Sequence, residues 1–298
     1  MGEVVGDMIA VVGSCNVDFV IPVAALPAAG ETVLGGDHLR TPGGKGANQS
    51  VAAARLGSEV AFVGRVGDDE LAPTITTALS AAGVDLTWLG CVPDTPSGIA
   101  LITVADGGEN TIAVSPGANA RLGVEDVAEA AGLLAGAEVT LVQLEISLDV
   151  VEATVRAAGG LVVLNPAPAR GLSRELLSGV DVLVPNRSEL GFLAGAPEPV
   201  SVDEAVALAR GLDRAVVVTL GADGAVVVQG DVVEHVPAVA VEAVDATGAG
   251  DAFCGALADG LARGESLVDA TGWAVRVAGV STTRWGAQGG MPTRADLR

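Results

Sequence analysis

A glycine-rich segment late in the chain places an aspartate at the start of a predicted helix. Residues 245–251 read DATGAGD, and apolar residues recur at helical spacing from Cys254 to Leu261. The first amides of a helix lack acceptors within it, so together with the helix dipole they attract an anion. Asp251 would repel a phosphate held there, unless it accepts a proton from a hydroxyl that attacks the phosphorus. The segment therefore indicates either phosphoryl-transfer chemistry or an ordinary turn with Asp251 as N-cap.

A second glycine-rich segment contains the one lysine of the chain. Residues 41–49 read TPGGKGANQ around Lys45, and the other basic residues of the chain are all arginine. The glycines allow the backbone to approach a small ligand closely, and the Asn48 amide offers donors and an acceptor to hydroxyl groups. Lys45 is followed by glycine rather than serine or threonine, which excludes a Walker A phosphate loop. The segment favours a hydroxyl-rich ligand, with a tight loop and a solvated lysine as the alternative.

Two polar residues follow the first predicted strand, and a third follows a later one. Asn16 and Asp18 are two residues apart, so in an extended chain both side chains lie on the same face. Ligands of α/β proteins bind at the carboxyl ends of the strands, where a carboxylate beside an amide suits neighbouring hydroxyl groups. A turn capped by these side chains is the alternative. Glu145 follows the strand 139–142 and either meets the same ligand or begins the next connection.

Two further segments have the residue types of a nucleotide site. Asn186 and Glu189 are three apart directly after a predicted strand, so their side chains lie on one side of a first helical turn. Their oxygens suit a hydrated Mg²⁺ shared with phosphates, and the same spacing fits a capping box. Residues 219–224, TLGADG, join two predicted strands and form either only a tight turn or one that also wraps a nucleotide.

These segments are spaced along an alternating series of strands and helices. Short β-branched runs that are apolar throughout predict strands buried on both faces of a parallel sheet. The predicted strands are 9–13, 60–63, 139–142, 161–164, 182–184 and 215–219, with a hairpin at 225–236. The predicted helices are one that stops at Gly57 and those at 70–82, 124–134, 149–158, 202–210, 249–263 and 267–283. The alternation predicts a Rossmann-like α/β three-layer sandwich with a mainly parallel central sheet.

Two segments interrupt this alternation. Residues from about 16–40 and 97–116 contain short predicted strands separated by proline and glycine turns. We expect them to form a small β-sheet that projects from the main sheet as a lid. No linker-like or low-complexity stretch separates the remaining elements. The sequence therefore predicts one domain over residues 1–298, with the lid strands as insertions.

Composition argues against several classes of partner. The 298 residues include 16 basic and 37 acidic ones, and the formal net charge of −21 disfavours nucleic acid and anionic membrane surfaces. Aromatic residues make up 2% and tyrosine is absent, so the chain lacks stacking platforms for nucleic-acid bases. Three separated cysteines form neither a disulfide framework nor a paired zinc site. Residues 1–7 have no basic signal segment and no apolar run reaches about 20 residues, so we expect a cytoplasmic protein.

Taken together, these segments resemble the ribokinase/PfkB family of carbohydrate kinases. Residues 43–57, which begin GGKGAN, are similar to the first signature of that family, and residues 245–251 are similar to the second. The resemblance runs nearly from end to end and includes GANA at 117–120, QLE at 143–145 and GAQ at 286–288. It implies a ribokinase-like fold and ATP-dependent phosphorylation of D-ribose at its 5-hydroxyl, which gives D-ribose 5-phosphate and ADP.

The resemblance also implies roles for individual residues. It implies Asp251 as the general base, and an anion hole made by the amides of Gly248, Ala249 and Gly250. The implied sugar ligands are Asn16, Asp18, Gly44, Lys45, Asn48, Glu145 and Asp251. The residues implied to face ATP, with Glu189 linked to its Mg²⁺, are Asn186, Thr219, Leu220, Gly221, Ala222, Asp223, Gly224 and Gly250. The implied K⁺ ligands are Asp245, Thr247 and the backbone carbonyls of Ser281, Arg284, Gly286 and Gly290. Homodimerisation through the lid is implied as well.

Alternatives to ribose phosphorylation stay open within and outside this family. Deoxyribose lacks one hydroxyl of ribose and fits the same motifs, whereas adenosine, fructose and ketodeoxygluconate kinases of the family usually lack the lysine of GGKGAN. Phosphofructokinase-like relatives carry that lysine but need further cations for a phosphorylated sugar, and this chain has one lysine. A non-catalytic sugar sensor has no use for an aspartate beside the anion site. A dinucleotide-dependent oxidoreductase needs Gly-x-Gly-x-x-Gly after the first strand, where residues 13–16 read GSCN.

Overall fold

Buried apolar strands form the centre of the molecule in the computed structural model, which describes residues 8–297. Residues 1–7, whose sequence argued against a signal segment, lie outside the described part. The strands of the described residues are β1 (Met8–Val12), β2 (Asn16–Val23), β3 (Leu39–Gly43), β4 (Glu59–Gly67), β5 (Leu89–Val92), β6 (Gly98–Ala105), β7 (Asn110–Ser115), β8 (Val139–Gln143), β9 (Leu161–Asn165), β10 (Val182–Leu183), β11 (Ala215–Thr219), β12 (Ala225–Gln229) and β13 (Val232–Val236).

Nine of these strands form the central sheet of the described chain, in the order β13-β12-β11-β10-β9-β8-β1-β4-β5. The pairings from β11 to β5 are parallel, and the β12–β13 hairpin extends one edge in antiparallel fashion. In β1, Ile9 and Val11 contribute to the hydrophobic core on one face of the sheet, and Ala10 and Val12 contribute to the core on the other. Burial on both faces explains why these strands are apolar throughout.

Helices cover both faces of the sheet. They are α1 (Lys45–Arg55), α2 (Ala72–Ala81), α3 (Val124–Glu129), α4 (Ala131–Gly136), α5 (Leu148–Ala157), α6 (Arg174–Ser178), α7 (Arg187–Ala194), α8 (Val202–Arg210), α9 (Ala249–Ala262), α10 (Leu267–Ser281) and α11 (Ala287–Gly290). Side chains of α1, α2, α9 and α10 pack on one face, and side chains of α3 to α8 pack on the other. The predicted three-layer α/β sandwich is confirmed.

A second sheet of four strands, in the order β3-β2-β6-β7, forms the predicted lid. The pair β2–β6 is parallel, and the pairs β2–β3 and β6–β7 are antiparallel. The second lid strand along the sequence, β3, reaches Gly43 rather than residue 40, so it leads directly into the lysine loop. Residues 24–38 contain no strand.

The sequence-based element boundaries differ from the structure at several further places. The predicted helix 124–134 is divided at Ala130 into α3 and α4, and glycines at 132 and 136 lower the helix propensity of the second part. Strand β5 and helix α6 were not predicted, because each has only four or five residues and no clear periodicity. No helix among residues 8–297 is long and apolar enough to span a membrane.

The topology determines where the polar side chains collect. Strands β4 and β5 lie on one side of β1, and strands β8 to β11 lie on the other. The strand order therefore reverses beside β1. Ligands of open α/β sheets bind at the carboxyl ends of the strands where the order reverses. The segments that follow β1, β8, β9, β10 and β11 all start at this edge of the sheet.

Candidate active site

Asp251 lies buried near the start of α9, in contact with two amide side chains of α1. Its Oδ2 accepts a hydrogen bond from Asn48 Nδ2 at 2.9 Å, and its Oδ1 accepts one from Gln49 Nε2 at 3.1 Å. The side chain of Asp251 is 7% exposed. Both oxygens of the carboxylate are therefore oriented by donors from a helix about 200 residues earlier in the sequence.

This contact depends on the close approach of α1 and α9. A β-carbon at Gly255 would lie 2.6 Å from Cβ of Ala52 and 2.6 Å from the backbone oxygen of Gln49. Any larger residue at 255 would force the helices apart and withdraw Asp251 from its amide donors. Gly44 precedes α1 with φ of 87°, a left-handed conformation that favours glycine. It turns the chain from β3 of the lid into α1.

The charge of Asp251 reflects opposing influences. Burial raises the pKa of its carboxyl group, while the Lys45 ammonium and the hydrogen bonds from Asn48 and Gln49 lower it. The Glu145 carboxylate adds to the rise, and the resulting pKa lies above the ordinary value for aspartate. A carboxylate with a raised pKa is a better proton acceptor than an exposed one.

Lys45 is surrounded by acidic groups. Burial lowers the pKa of its ammonium group, but the carboxylates of Asp251, Glu145 and Glu189 outweigh burial and raise the pKa above the ordinary value. Lys45 is therefore fully charged at neutral pH. It is the one basic side chain that lines the cleft over Asp251, within the described residues.

The start of α9 borders the same cleft, which Gly248, Gly250 and Asp251 line. Among the described residues, the N–H groups of Gly248 and Gly250 have no backbone acceptor, whereas the Ala249 N–H donates to the Ala246 carbonyl at 3.1 Å. Two of the three amides expected to form an anion hole are thus available to a ligand in this conformation. The third is engaged in the turn.

Asn16 and Asp18 are the first and third residues of β2 in the lid, and both are buried. Asn16 Oδ1 accepts a hydrogen bond from Asn119 Nδ2 at 2.7 Å. The Asn119 side chain also accepts from the Cys15 N–H and donates to the Cys15 carbonyl. Burial raises the pKa of Asp18 to about 7, with further contributions from the carboxylates of Glu145 and Asp251. The lid therefore brings a second carboxyl group close to Asp251.

Glu145 joins the sheet to the lysine loop. Its Oε2 accepts hydrogen bonds from Ser14 Oγ at 2.5 Å and from the Lys45 backbone N–H at 3.1 Å. Ser14 follows β1 and Glu145 follows β8, so neighbouring parallel strands deliver the two residues to one place. The contact fixes the loop at the first turn of α1.

Asn186 and Glu189 form the capping box that is one of the two interpretations of their spacing. Asn186 Oδ1 accepts from the Glu189 N–H at 2.8 Å, and Glu189 Oε2 accepts from the Asn186 N–H at 2.9 Å, which is a capping box for α7. Both residues also line the cleft with Asp251 and Lys45. Burial raises the pKa of Glu189, while Lys45 and the Asn186 N–H lower it. One oxygen of Glu189 is outside the capping box and is available to a cation.

The turn between β11 and β12 lies beside this cleft. Residues Gly221–Asp223 form a short 3₁₀ helix, and Arg187 Nη2 donates a hydrogen bond to Asp223 Oδ2 at 2.7 Å. A side chain of α7 therefore holds the turn in place. A second depression continues from the first and is lined by Asn186, Arg187, Ser188, Glu198, Thr219, Leu220, Gly221 and Gly250. Ala222, Asp223 and Gly224 do not line it.

Asp245 connects the turn before α9 to the turn before α11. Its Oδ1 accepts from the Thr247 N–H at 2.9 Å, and its Oδ2 accepts from the Gly286 N–H at 2.7 Å. Partial burial raises the pKa of Asp245, but hydrogen bonds from Thr247 and Gly286 outweigh it and lower the pKa. A β-carbon at Gly290 would lie 2.7 Å from the Ser281 carbonyl oxygen and 3.3 Å from that of Arg284. Two of the four carbonyls expected to bind K⁺, those of Ser281 and Arg284, thus lie near Gly290.

The sequence analysis assigned no role to several buried amides at the site. Gln143 Nε2 donates to Gln49 Oε1 at 2.7 Å, Gln49 Nε2 donates to Asn165 Oδ1 at 3.3 Å, and Gln288 Nε2 donates to Asn48 Oδ1 at 3.0 Å. Gln143 ends β8 and Asn165 ends β9. The sequence signal for these residues is a polar side chain at the end of an apolar strand. That signal does not show which side chain the amide contacts.

Comparison with known proteins places this geometry in context. Residues 7–294 match the model of the pfkB family of carbohydrate kinases. The chain is 40% identical over 292 residues to a ribokinase of Bacillus subtilis, with 97% of each chain covered, and 39% identical to a deoxyribokinase of Salmonella typhi, with 96% and 95% covered. A ribokinase structure from Thermotoga maritima superposes with a TM-score of 0.88 at 34% identity and covers 97% of both chains. An Arabidopsis thaliana ribokinase complexed with ribose and ATP superposes with a TM-score of 0.86 at 30% identity, covering 97% of this chain and 96% of the other.

The raised pKa of Asp18 predicts a pH-dependent cost to stability. Between the ordinary value of 3.8 and about 7, the native state holds a proton on Asp18 that the unfolded state releases, so the free energy of unfolding falls as pH rises through this window. We expect Asp18→Asn to raise the thermal midpoint at about pH 8 and to change it little at about pH 4. Calorimetry at both pH values measures the difference.

The matched control is Asp231→Asn at an exposed hairpin turn, which we expect to leave both midpoints close to those of the wild-type protein. A midpoint of Asp18→Asn that is lower than the wild-type value at pH 8, or raised equally at both pH values, would contradict the assignment.

Proposed function

The chain belongs to the pfkB family of carbohydrate kinases, and we propose that it transfers the terminal phosphoryl group of ATP to the 5-hydroxyl of D-ribose, which gives D-ribose 5-phosphate and ADP. The observation that carries this proposal is the placement of Asp251. Its carboxylate lies beside the free amides that begin α9, and it faces the cleft that Lys45 also lines. A proton acceptor and an anion site thus adjoin at one point.

In this mechanism Asp251 accepts the proton of the sugar hydroxyl as the new bond to phosphorus forms. A sugar alcohol has a very high pKa, so the base acts during bond formation rather than before it. The Gly248 and Gly250 amides donate to oxygens of the transferring group, and the Lys45 ammonium adds positive charge. Catalysis then depends mainly on positioning and on charge stabilisation by groups that are already oriented.

The sugar would lie between the lid and the lysine loop. Asn16 and Asp18 lie side by side on β2 and would bind adjacent hydroxyls, which ribose has at C2 and C3. We assign the sugar to the residues that surround this space, which are Asn16, Asp18, Gly44, Lys45, Asn48, Glu145 and Asp251. The ribose found with ATP in the Arabidopsis relative supports this substrate.

ATP would lie along the opposite side of the cleft, over α7 and the turn after β11. We assign it to Asn186, Gly250 and residues 219–224, with Ala222, Asp223 and Gly224 acting through the turn backbone. Glu189 fits Mg²⁺, because one of its oxygens lies outside the capping box and faces the cleft. Bound Mg²⁺ neutralises phosphate charge.

Deoxyribose is a second candidate substrate. The deoxyribokinase of Salmonella typhi is nearly as similar to this chain as the Bacillus subtilis ribokinase, at 39% against 40% identity. Ribose is favoured because a carboxylate and an amide side by side on β2 match two adjacent hydroxyls. Deoxyribose would leave one of these buried groups unpaired, which costs about 1–3 kcal/mol.

Asp251→Asn tests the proposed base. The amide keeps the shape of the carboxylate but accepts no proton, so we expect turnover to fall by about 10²- to 10⁴-fold. Ribose binding, measured by calorimetry, should be retained. Turnover is measured by coupled ADP release with ribose, deoxyribose, fructose and adenosine. Substantial turnover by Asp251→Asn would remove the base role, and a wild-type preference for another sugar would replace ribose as the substrate.

A monovalent cation fits the turns beside the anion site. Asp245 carries a carboxylate with a lowered pKa, and the carbonyls of Ser281 and Arg284 converge near Gly290. Carbonyl and carboxylate oxygens replace the hydration shell of K⁺. We assign this ion to Asp245, Thr247, Ser281, Arg284, Gly286 and Gly290. A K⁺ ion held by these residues would add positive charge beside the proposed anion site.

This assignment predicts that turnover is higher in K⁺ buffer than in buffer with Na⁺ as the sole monovalent cation. Asp245→Asn keeps the hydrogen-bond acceptor on one atom but removes the charge, so we expect it to reduce the stimulation by K⁺. Thr283→Val is the control, since within residues 8–297 the Thr283 hydroxyl bonds the Val280 carbonyl and no other group. Equal wild-type turnover in the two buffers would contradict the cation site.

The lid carries an apolar row that favours association of two copies. Leu39, Val20, Ile102 and Ile112 lie opposite one another across all four lid strands, on the same face as Asp18. Leu39 and Ile112 are 61% and 57% exposed. We therefore propose a homodimer in which the lid of one copy covers this row of the other.

Ile112→Asp tests the dimer, because a charge in the row opposes its burial. We expect the wild-type protein to sediment as a dimer at micromolar concentration and Ile112→Asp to sediment as a monomer. The control is Ala113→Asp, which places the same charge on the opposite face of β7 and should leave the dimer intact. A wild-type monomer, or a dimeric Ile112→Asp variant, would contradict the proposal.

A further inference from the structure

We propose that Gln49 and Gln143 form an amide relay that positions the Asp251 carboxylate for proton transfer. The inference rests on the proposed base role of Asp251 and extends it to two residues that need not touch either substrate. Gln143 acts on Asp251 only through Gln49, so both are positioning residues rather than catalytic ones.

The relay has no access to solvent. Gln49 and Gln143 are both 0% exposed. Gln143 Nε2 donates to Gln49 Oε1 at 2.7 Å, and Gln49 Nε2 donates to Asp251 Oδ1 at 3.1 Å. Gln49 Nε2 also donates to Asn165 Oδ1 at 3.3 Å, so the amide of Gln49 is held on three sides. Asn165 in turn donates to the Val184 carbonyl at 2.9 Å.

The charge on Asp251 determines the direction of every bond in the relay. An ionised carboxylate only accepts hydrogen bonds, so Gln49 must turn its NH₂ group toward Asp251. Its carbonyl oxygen then faces Gln143, which must donate. A rotated Gln143 amide would place two oxygens against each other. The relay is therefore consistent with the deprotonated form of Asp251, which is the form that a general base needs.

The relay also fixes the orientation of the carboxylate. Oδ1 is held by Gln49 and Oδ2 by Asn48, so rotation about the side-chain bond would break both contacts. Asn48 is a proposed sugar ligand, whereas Gln49 is not. We therefore expect the Gln49 hydrogen bond to Asp251 to persist when substrate binds.

Gln143 has an unusual environment for a buried amide. Among the described residues its Oε1 has no hydrogen-bond partner, although the residue is fully buried. Leaving a buried carbonyl unpaired costs about 1–3 kcal/mol. Leucine or methionine would fill the same space without that cost. The donation by Gln143 Nε2 to Gln49 is the one interaction that an apolar residue at this strand end would lose.

The other charged and titratable groups that face Asp251 come from separate elements. They are Lys45 on α1, Asp18 on β2, Glu145 after β8, Glu189 on α7 and Cys254 on α9. None belongs to the relay. Substitutions of Gln49 and Gln143 by a neutral residue therefore leave these charges in place, and a changed pH profile reports the loss of the amide donor.

The test uses Gln49→Met, Gln143→Met and the double variant, since methionine has a similar length and no hydrogen-bonding amide. We expect Gln49→Met to lower kcat about tenfold, the loss expected for a hydrogen bond to a charged group, with the KM for ribose nearly unchanged. Loss of the donor also moves the acid limb of the kcat profile to higher pH. Gln143→Met should act in the same direction but less strongly.

The double variant distinguishes a relay from two independent effects. Because Gln143 acts through Gln49, kcat of the double variant should equal that of Gln49→Met alone rather than the product of the two losses. Thr140→Val is the matched control, since this residue is also buried on β8 and its hydroxyl has no partner among the described residues. It should leave kcat and the pH profile unchanged.

Several results would overturn the relay. An unchanged kcat and pH profile in Gln143→Met, multiplicative losses in the double variant, or a raised ribose KM with normal kcat would each do so. Thermal melting checks that each variant is folded, and Gln143→Met decides the outcome if Gln49→Met does not fold. Asp251→Asn separates the two proposals. If it retains turnover the base role fails, and if it is inactive while the glutamine variants are normal only the relay fails.

Discussion

The structure depends on keeping one carboxylate buried, charged and oriented at the start of α9. Burial alone favours the neutral form of the Asp251 carboxyl group, since an isolated charge is costly in a protein interior. The two amides of α1 and the ammonium of Lys45 counter that cost. These donors reach Asp251 because Gly255 allows α1 and α9 to lie in close contact. The close packing of α1 and α9 is therefore also what keeps Asp251 bonded to its amide donors.

The parallel sheet explains how residues distant in sequence meet at this point. Gln143, Asn165 and the segments after β10 and β11 all lie at the carboxyl ends of neighbouring strands. The lid adds Asn16 and Asp18 to the same edge of the sheet, because β2 begins a few residues after β1 ends. Each connection thus delivers polar groups to the same edge, while the strands themselves stay apolar and provide a rigid support.

The site carries more acid than base. Asp18, Glu145, Glu189 and Asp251 all act on the single lysine or on one another, and burial with mutual repulsion raises the pKa values of Asp18, Glu189 and Asp251. Such an arrangement reduces the stability of the empty protein. A neutral polyol would relieve part of this cost by donating hydroxyl hydrogens to the carboxylates, and a cation beside the nucleotide would relieve another part. The acidic character of the site is in this way consistent with the proposed sugar and metal-bound nucleotide.

The sequence by itself determined the layer architecture, most of the strands and long helices, and the two glycine-rich segments that meet at the cleft. These features are local, because periodicity, glycine and capping residues act over a few neighbouring positions. It also indicated Asp251, Lys45 and Asn48, which stand within those segments. The tertiary structure alone decided that Gln49 and Gln143 lie behind Asp251, that Ala249 uses its amide within the turn, and that Asn186 and Glu189 cap α7 while facing the cleft. The physical reason is that a buried amide or carboxyl group has several possible partners of equal chemistry, and only the packing of strands and helices selects among them.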